Sequence, residues 1–299
     1  MALAKLKVMY GHLEGTERKF ARDPSGYLSI EKGFYRKHGL EISWEHVQGT
    51  EERYRSLASG DAQISFVVGR ASLQHYLATK RTRILGCAMN SCPYFLVVRA
   101  DITSLDRLEG RAVACREEPG RSAPLAETFQ ALAGLTIGRN LTLELPASDQ
   151  RAFEMLRNGN VHAALLPRPY AFMAEEKNFH RIPDWPDVVD DPLPITIETS
   201  VVLREKYDKE FTAFLAAHRE GIRYLQGHPD EATTLLRKQF GHPPAFTAKT
   251  IKDYLVFMNE SLTVDFKQLE KILSQVAPET SDGARRVASE WVVGGALRG

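Results

Sequence analysis

The sequence predicts an α/β fold of two lobes, on three observations. Its 299 residues exceed one ordinary core and suit two lobes of ~100 to 200 residues. Strand, loop and helix signals recur in that order, with hydrophobic spacing switching between periods of two and 3.6. A helix-glycine-strand word occurs twice: Leu57-Ala58-Ser59-Gly60-Asp61-Ala62, and Leu156-Arg157-Asn158-Gly159-Asn160-Val161. One α/β plan used twice produces such an echo.

Lys5 to Tyr10 alternates Leu6, Val8 and Tyr10 and is read as a strand, followed by Gly11 and a polar loop from His12 to Ser25. Tyr27, Ile30 and Phe34 recur at helical spacing and predict one amphipathic helix, stopped by Gly39. Leu40, Ile42 and Trp44 then alternate with Glu41, Ser43 and Glu45. Gln48-Gly49-Thr50 turns into a helix whose first turn carries Glu51 and Glu52, matching its dipole. Gly60 ends that helix, Ala62 to Val68 is a short apolar strand, and Gly69-Arg70-Ala71-Ser72 opens the next helix. Arg83 to Met89 and Tyr94 to Val98 are further strands, with the first crossing between lobes expected near Val97 to Ala100.

The unit then repeats. Arg111 to Cys115 reads as a strand, Arg116 to Arg121 as a loop, and Ser122 caps a helix ending at Gly134. Leu141 to Leu145 and His162 to Leu166 are strands, and Ser148 caps the helix between them. Pro183 to Pro194 is a surface loop, and the β-rich run Ile195 to Leu203 is the return crossing. From Glu205 to Phe240 the pattern is helical, with Phe211, Phe214, Leu215, His218 and Ile222 on one stripe. The helical tail from Lys249 to Trp291 is expected to pack on the first lobe. Residues 1–98 plus 199–299 form the first lobe in this reading, and 99–198 the second.

With 39 basic against 38 acidic side chains, no overall field would gather nucleic acid or an anionic membrane. The 43% hydrophobic content is near the globular norm, and no low-complexity tract argues for disorder. Cys87, Cys92 and Cys115 lack the spacing of a structural zinc site and read as packing thiols. No metal, cofactor or catalytic group is expected, nor an oligomer. No window approaches the ~18 apolar residues of a membrane span. Met1 to Tyr10 reads as a strand rather than an export signal, so the sequence as written suits the cytoplasm, whereas removal of a signal would suit the periplasm.

Ligands of open α/β sheets lie outside the carboxyl ends of strands. Those positions carry His12, Thr50, Arg70, Asn90, Ser91, Arg116, Arg121, Ser122 and Arg168. A guanidinium is a planar fork of donors suited to a carboxylate or sulfonate, so Arg70 at a strand-to-helix turn is the leading anion contact, against a structural ion pair. Ser122 opens a helix whose free N–H groups and dipole favour an anion, or it merely caps that helix. Arg116 and Arg121 are weighed against solvated loop arginines, and His12 against a solvated loop histidine. Arg168 and Tyr170 follow a strand end. Tyr10, Trp44 and Phe172 would stack on an aromatic ligand or lie in the core, and His162 reads as structural. Gly120 belongs to no GxGxxG or Walker loop, which disfavours nucleotides.

Gly26-Tyr27-Leu28-Ser29-Ile30-Glu31-Lys32-Gly33-Phe34-Tyr35-Arg36-Lys37-His38-Gly39-Leu40, followed by a strand and the Leu57 to Asp61 word, resembles the opening of ABC-transporter solute-binding proteins for nitrate, sulfonates, taurine and thiamine-pyrimidine precursors. Leu105 to Val113 and Leu156 to Ala164 resemble second-lobe landmarks of the same family. His162 stands where that family usually carries aspartate, and Gly69-Arg70 where many members carry small or polar residues. The resemblance implies a periplasmic-binding-protein type II fold, two lobes with a hinge and an interlobe ligand cleft, closing on a small anionic organic molecule. It also implies delivery to an ABC permease where the protein is exported. The alternative is an enzyme on the same fold, a decarboxylase, desulfinase or pyrimidine synthase acting on a small aromatic or acidic substrate, with Cys92, His12 and Arg70 as its suspect set. A regulator's sensing domain would need a DNA-binding module for which two lobes leave no room.

Overall fold

The structure, a computed structural model, describes residues 2–11, 24–47, 49–89, 94–117, 122–168, 170–182, 185, 195–240 and 244–298. The first stretch holds β1 (Ala4–Gly11), α1 (Pro24–Glu31), α2 (Phe34–Lys37), β2 (Leu40–Val47), α3 (Thr50–Ser59), β3 (Ile64–Val67), α4 (Gly69–Thr79) and β4 (Thr82–Met89). The second holds β5 (Tyr94–Val98), β6 (Arg111–Cys115), α5 (Ser122–Ala133), β7 (Leu141–Glu144), α6 (Asp149–Arg157), β8 (Ala163–Pro167), α7 (Tyr170–Glu175) and β9 (His180–Arg181). The third holds β10 (Ile195–Ser200), α8 (Val201–Lys206), α9 (Asp208–Gly227), α10 (Pro229–Phe240), α11 (Pro244–Phe257), β11 (Val264–Asp265), α12 (Phe266–Val276), α13 (Ala284–Trp291) and β12 (Leu297–Arg298).

These elements form two compact units. The first contains β1 to β4 and everything from β10 onward, and the second contains β5 to β9. The chain passes from one to the other before β5 and returns before β10, so β5 lies whole within the second unit and β10 whole within the first. Pairing is the reason: β5 hydrogen-bonds to β8 and β9, and β10 to β3 and β4.

Each unit is built on a five-stranded sheet, ordered β2-β1-β3-β10-β4 in the first and β7-β6-β8-β5-β9 in the second. In both, three parallel strands are followed by one antiparallel strand. The two helix-glycine-strand words occupy equivalent places, leading into β3 and β8. Gly60 and Gly159 both adopt left-handed backbone, with φ of 84° and 77°, which a side chain at either position would oppose. Leu57 and Leu156 are buried, as are Ala62 and Val161.

The correspondence extends to single hydrogen bonds. Gln63 N–H donates to Lys7 O and His162 N–H to Ala112 O, at 3.0 and 2.8 Å. In return Lys7 N–H donates to Gln63 Oε1 at 2.8 Å, and Ala112 N–H to His162 Nδ1 at 3.4 Å. His162 thus extends the ladder of the neighbouring strand with its ring, as Gln63 does with its amide. Accepting through Nδ1 requires that nitrogen unprotonated. Burial, then Arg111 and Arg99, hold the ring's pKa below its ordinary value.

One local expectation changes. The helix expected from Tyr27 onward is broken: Gly33 takes φ of 73° and divides it into α1 and α2, while Gly39 (φ 79°) closes it as expected. The core of the first unit packs Leu6, Val8 and Tyr10 of β1 against Leu28, Tyr35 and the α9 stripe Phe211, Phe214 and Ile222. Each such buried side chain stabilises by ~1.5 to 3 kcal/mol. Close approach of α1 and α9 depends on Gly221, where a Cβ would overlap Ser29 Oγ and lie 2.5 Å from Ser25 O. The tail packs on the other side of the same unit, where Trp291 is buried and stacks on Tyr76 at 5.2 Å.

Candidate functional site

In the first unit, β1, β2 and β3 run parallel, and β2 and β3 lead at their carboxyl ends into α3 and α4. Gly49 (φ 79°) makes the turn into α3. Thr50 follows, and its Oγ1 accepts from Arg53 Nη2 at 3.1 Å. Arg53 is itself buried, a position that its place in the helical pattern does not announce. Arg70, in the first turn of α4, is only 2% exposed. Its Nη2 donates to Gln275 Oε1 of α12 at 2.5 Å, so packing against the carboxy-terminal helices fixes at least one arm of the fork. His12, Asn90 and Ser91 lie outside the described residues.

In the second unit, β6, β7 and β8 form the equivalent parallel set. Arg116 follows β6 and pairs through Nη1 with Asp149 Oδ2 at 3.4 Å. Asp149 is buried in the first turn of α6, below the cap in which Ser148 Oγ accepts from Arg151 N–H at 3.2 Å. Among the described residues no donor reaches Asp149 Oδ1. Arg168 follows β8 and is 6% exposed, and Tyr170 beside it is buried. Ser122 begins α5, while Arg121 and the thiol-bearing Cys92 lie outside the described residues.

The strand-end positions that are described therefore group as Thr50 and Arg70 in one unit, and Arg116, Ser122 and Arg168 in the other. Of the aromatic candidates, Tyr10 and Phe172 are core residues, and Trp44 is half-buried against the core. Tyr10 stacks on Phe66 at 4.8 Å and Trp44 at 5.7 Å, and Phe172 is buried against Phe95. Cys87 and Cys115 are buried, and burial pushes the Cys87 thiol up to about 12. Among the described residues no cluster of histidine, cysteine or carboxylate side chains would hold a metal. A cavity of about 470 Å³ in the first unit, lined by Tyr54, His75, Arg81 and Val202 among others, opens beside the amino end of β4. That is the edge of the sheet opposite the strand-end loops.

One functional candidate escaped sequence reasoning. Glu198 lies in the middle of β10, wholly buried, and its carboxyl is pushed up to about 7 by that burial, against the pull of Thr196, Tyr54 and Arg53. Strand alternation would face Glu198 toward solvent, opposite Ile195 and Ile197, but helices cover both faces of this sheet.

No curated protein sequence matches the chain. Solved structures do match over nearly its whole length. The alkanesulfonate-binding protein SsuA from Xanthomonas axonopodis pv. citri, bound to MOPS, is 13% identical with a TM-score of 0.69, covering 100% of this chain and 99% of that one. The periplasmic aliphatic sulphonate-binding protein SsuA from Escherichia coli is 15% identical at 0.71, covering 96% and 89%. The periplasmic nitrate-binding protein NrtA from Synechocystis PCC 6803 is 12% identical at 0.68, covering 95% and 86%. At these identities the likeness establishes the fold, the type II periplasmic-binding-protein fold anticipated from the sequence. Sequence decides the family: the NMT1/THI5-like model matches residues 25–232, well over half the chain and across both units, and the chain belongs to the NMT1/THI5-like family.

Proposed function

We propose that this protein captures a small organic anion and delivers it to an ABC-transporter permease, acting in the periplasm. The observation that carries this reading is the placement of arginines at the carboxyl ends of parallel strands in both sheets, Arg70 in one and Arg116 and Arg168 in the other. Such ends are where ligands of α/β sheets lie, and guanidinium forks match carboxylate and sulfonate geometry. The fold shared with sulfonate- and nitrate-binding proteins supports the same ligand class. Arg168 is the leading contact in the second unit. Arg70, held through Nη2 by Gln275, is the contact proposed in the first unit.

The test is a thermal-shift screen of the purified protein against small carboxylates, alkanesulfonates, nitrate and pyrimidines, with chemical analysis of each hit afterwards. Saturable stabilisation with the anion recovered unchanged is expected, because a ligand of the native state alone raises the melting temperature. Arg168→Ala should abolish the shift. Conversion of a hit to product would replace the transport reading with an enzymatic one.

A further inference from the structure

Glu198 meets three hydroxyls inside the first unit. Its Oε1 contacts Ser72 Oγ of α4 and lies 2.6 Å from Thr196 Oγ1, and its Oε2 lies 3.4 Å from the Tyr54 hydroxyl of α3. Thr196 Oγ1 is also 3.0 Å from the carbonyl oxygen of Val67, which can only accept. A hydroxyl has a single proton to give. When Thr196 donates to Val67, the 2.6 Å contact requires the proton to sit on Glu198. When Glu198 is ionised, Thr196 turns its proton to the carboxylate and Val67 loses that donor.

The two protonation states of Glu198 therefore select two hydrogen-bond arrangements at Val67, the last residue of β3. The turn that follows, Val68 to Arg70, is one of the strand-end positions named above. Among the described residues, the charged and titratable groups facing Glu198 are Arg53 and Tyr54 of α3. From α4, His75 reaches it only through Tyr54, on which it stacks at 3.6 Å, and burial holds that ring's pKa below its usual value. Ser65 of β3 and Ile84 of β4, paired with Glu198 across the sheet, carry no charge.

We propose that Glu198 is a proton-carrying selectivity residue behind the β3–α4 turn, neutral when an anion is bound and repelling anions once ionised. The proposal rests on the anion-capture reading. Ionised, Glu198 places a negative charge in a low-dielectric wall beside Arg53, so anions bind more weakly as pH rises. By reciprocity, anion binding draws a proton onto Glu198. The elevated carboxyl, at about 7, puts both states within reach near neutrality.

Two measurements test this. The first is NMR of the full chain labelled at the glutamate carboxyl carbon, with Glu198→Gln assigning the resonance. Glu198 is expected to titrate near neutrality, with the amides of Val68 to Arg70 shifting at the same midpoint. Titration in the ordinary carboxylate range, or titration that leaves those amides unmoved, overturns the proposal. Thr196→Val, which removes the shared hydroxyl, should uncouple the turn while Glu198 still titrates, and it serves if Glu198→Gln fails to fold.

The second is calorimetric titration with ethanesulfonate and with nitrate on either side of the Glu198 midpoint. Affinity is expected to be at least about tenfold weaker on the alkaline side, and uniformly high in Glu198→Gln. Equal affinity on both sides in the unaltered protein overturns the selectivity role. Absence of binding at every pH overturns the anion half together with the reading beneath it, and the NMR result then decides the proton and the turn separately.

Discussion

Replacing Gly221 by alanine sets two effects of opposite sign against each other. In a helix interior, alanine is favoured over glycine by ~1 kcal/mol, so propensity alone predicts stabilisation. Packing predicts the reverse, because the new Cβ overlaps Ser29 Oγ and lies 2.5 Å from the Ser25 carbonyl, a backbone atom of α1 that cannot swing away. Overpacking of this kind costs ~1 to 3 kcal/mol. Displacing Ser29 also disturbs its hydrogen bond to Ser25 O, 2.8 Å, worth ~1 kcal/mol. Packing wins by about 2 kcal/mol. The assay is urea unfolding followed by tryptophan fluorescence, since Trp44 and Trp291 both report on this unit. Adding Ser29→Ala removes the overlap with the hydroxyl but not with the Ser25 carbonyl, and should recover less than half of the loss. Gly227→Ala, at the end of the same helix with open space around its Cβ, should leave stability level or raise it. A Gly221→Ala protein as stable as the parent would refute the close helix approach on which this rests.

Three further outcomes are expected. Because the Glu198 carboxyl rises from 4.5 to about 7 on folding, the native state holds the extra proton. Its contribution, on the order of 3 kcal/mol, is full below pH ~4.5 and lost as pH climbs through ~7, a slope that Glu198→Gln should flatten in urea titrations across that window. His162 behaves oppositely: its folded pKa is lowered, so its contribution is full above ~6.5 and lost on acidification. His162→Gln, copying Gln63, should fold normally and lose that acid sensitivity, whereas His162→Ala should cost ~1 kcal/mol. Cys87, buried with a thiol near 12, should resist alkylation at mildly alkaline pH until the protein is unfolded, as mass mapping of the modified residue would show.

The fold was legible because its signals are local. Alternation in Leu40 to Glu45, the left-handed glycines after α3 and α6, and the Ser148 cap are each decided by neighbours a few residues apart, and each stands in the structure as read. The break at Gly33 was missed because hydrophobic spacing continues across it, whereas only backbone dihedrals distinguish one helix from two. The two-residue β9 is too short to carry a periodic signal. The site was less legible for a physical reason: its partners are remote in sequence. Arg70 meets Gln275, Arg116 meets Asp149, and Glu198 meets Tyr54 and Ser72. Spacing cannot announce such pairs. Arg53, one turn into α3, reads in sequence as an ordinary solvated helix charge.

The strand order of the first sheet also bears on how the chain matures. Within that sheet β4 is joined to β3 only through β10, which leaves the ribosome after all of β5 to β9. Until then β4 has no strand beside it in the sheet, and its backbone edge stays open. The β5 to β9 stretch, by contrast, is continuous and can close its own sheet during synthesis. Vectorial translation thus presents a finished domain flanked by an incomplete one, whose last seam forms when β10 slides between two strands already made.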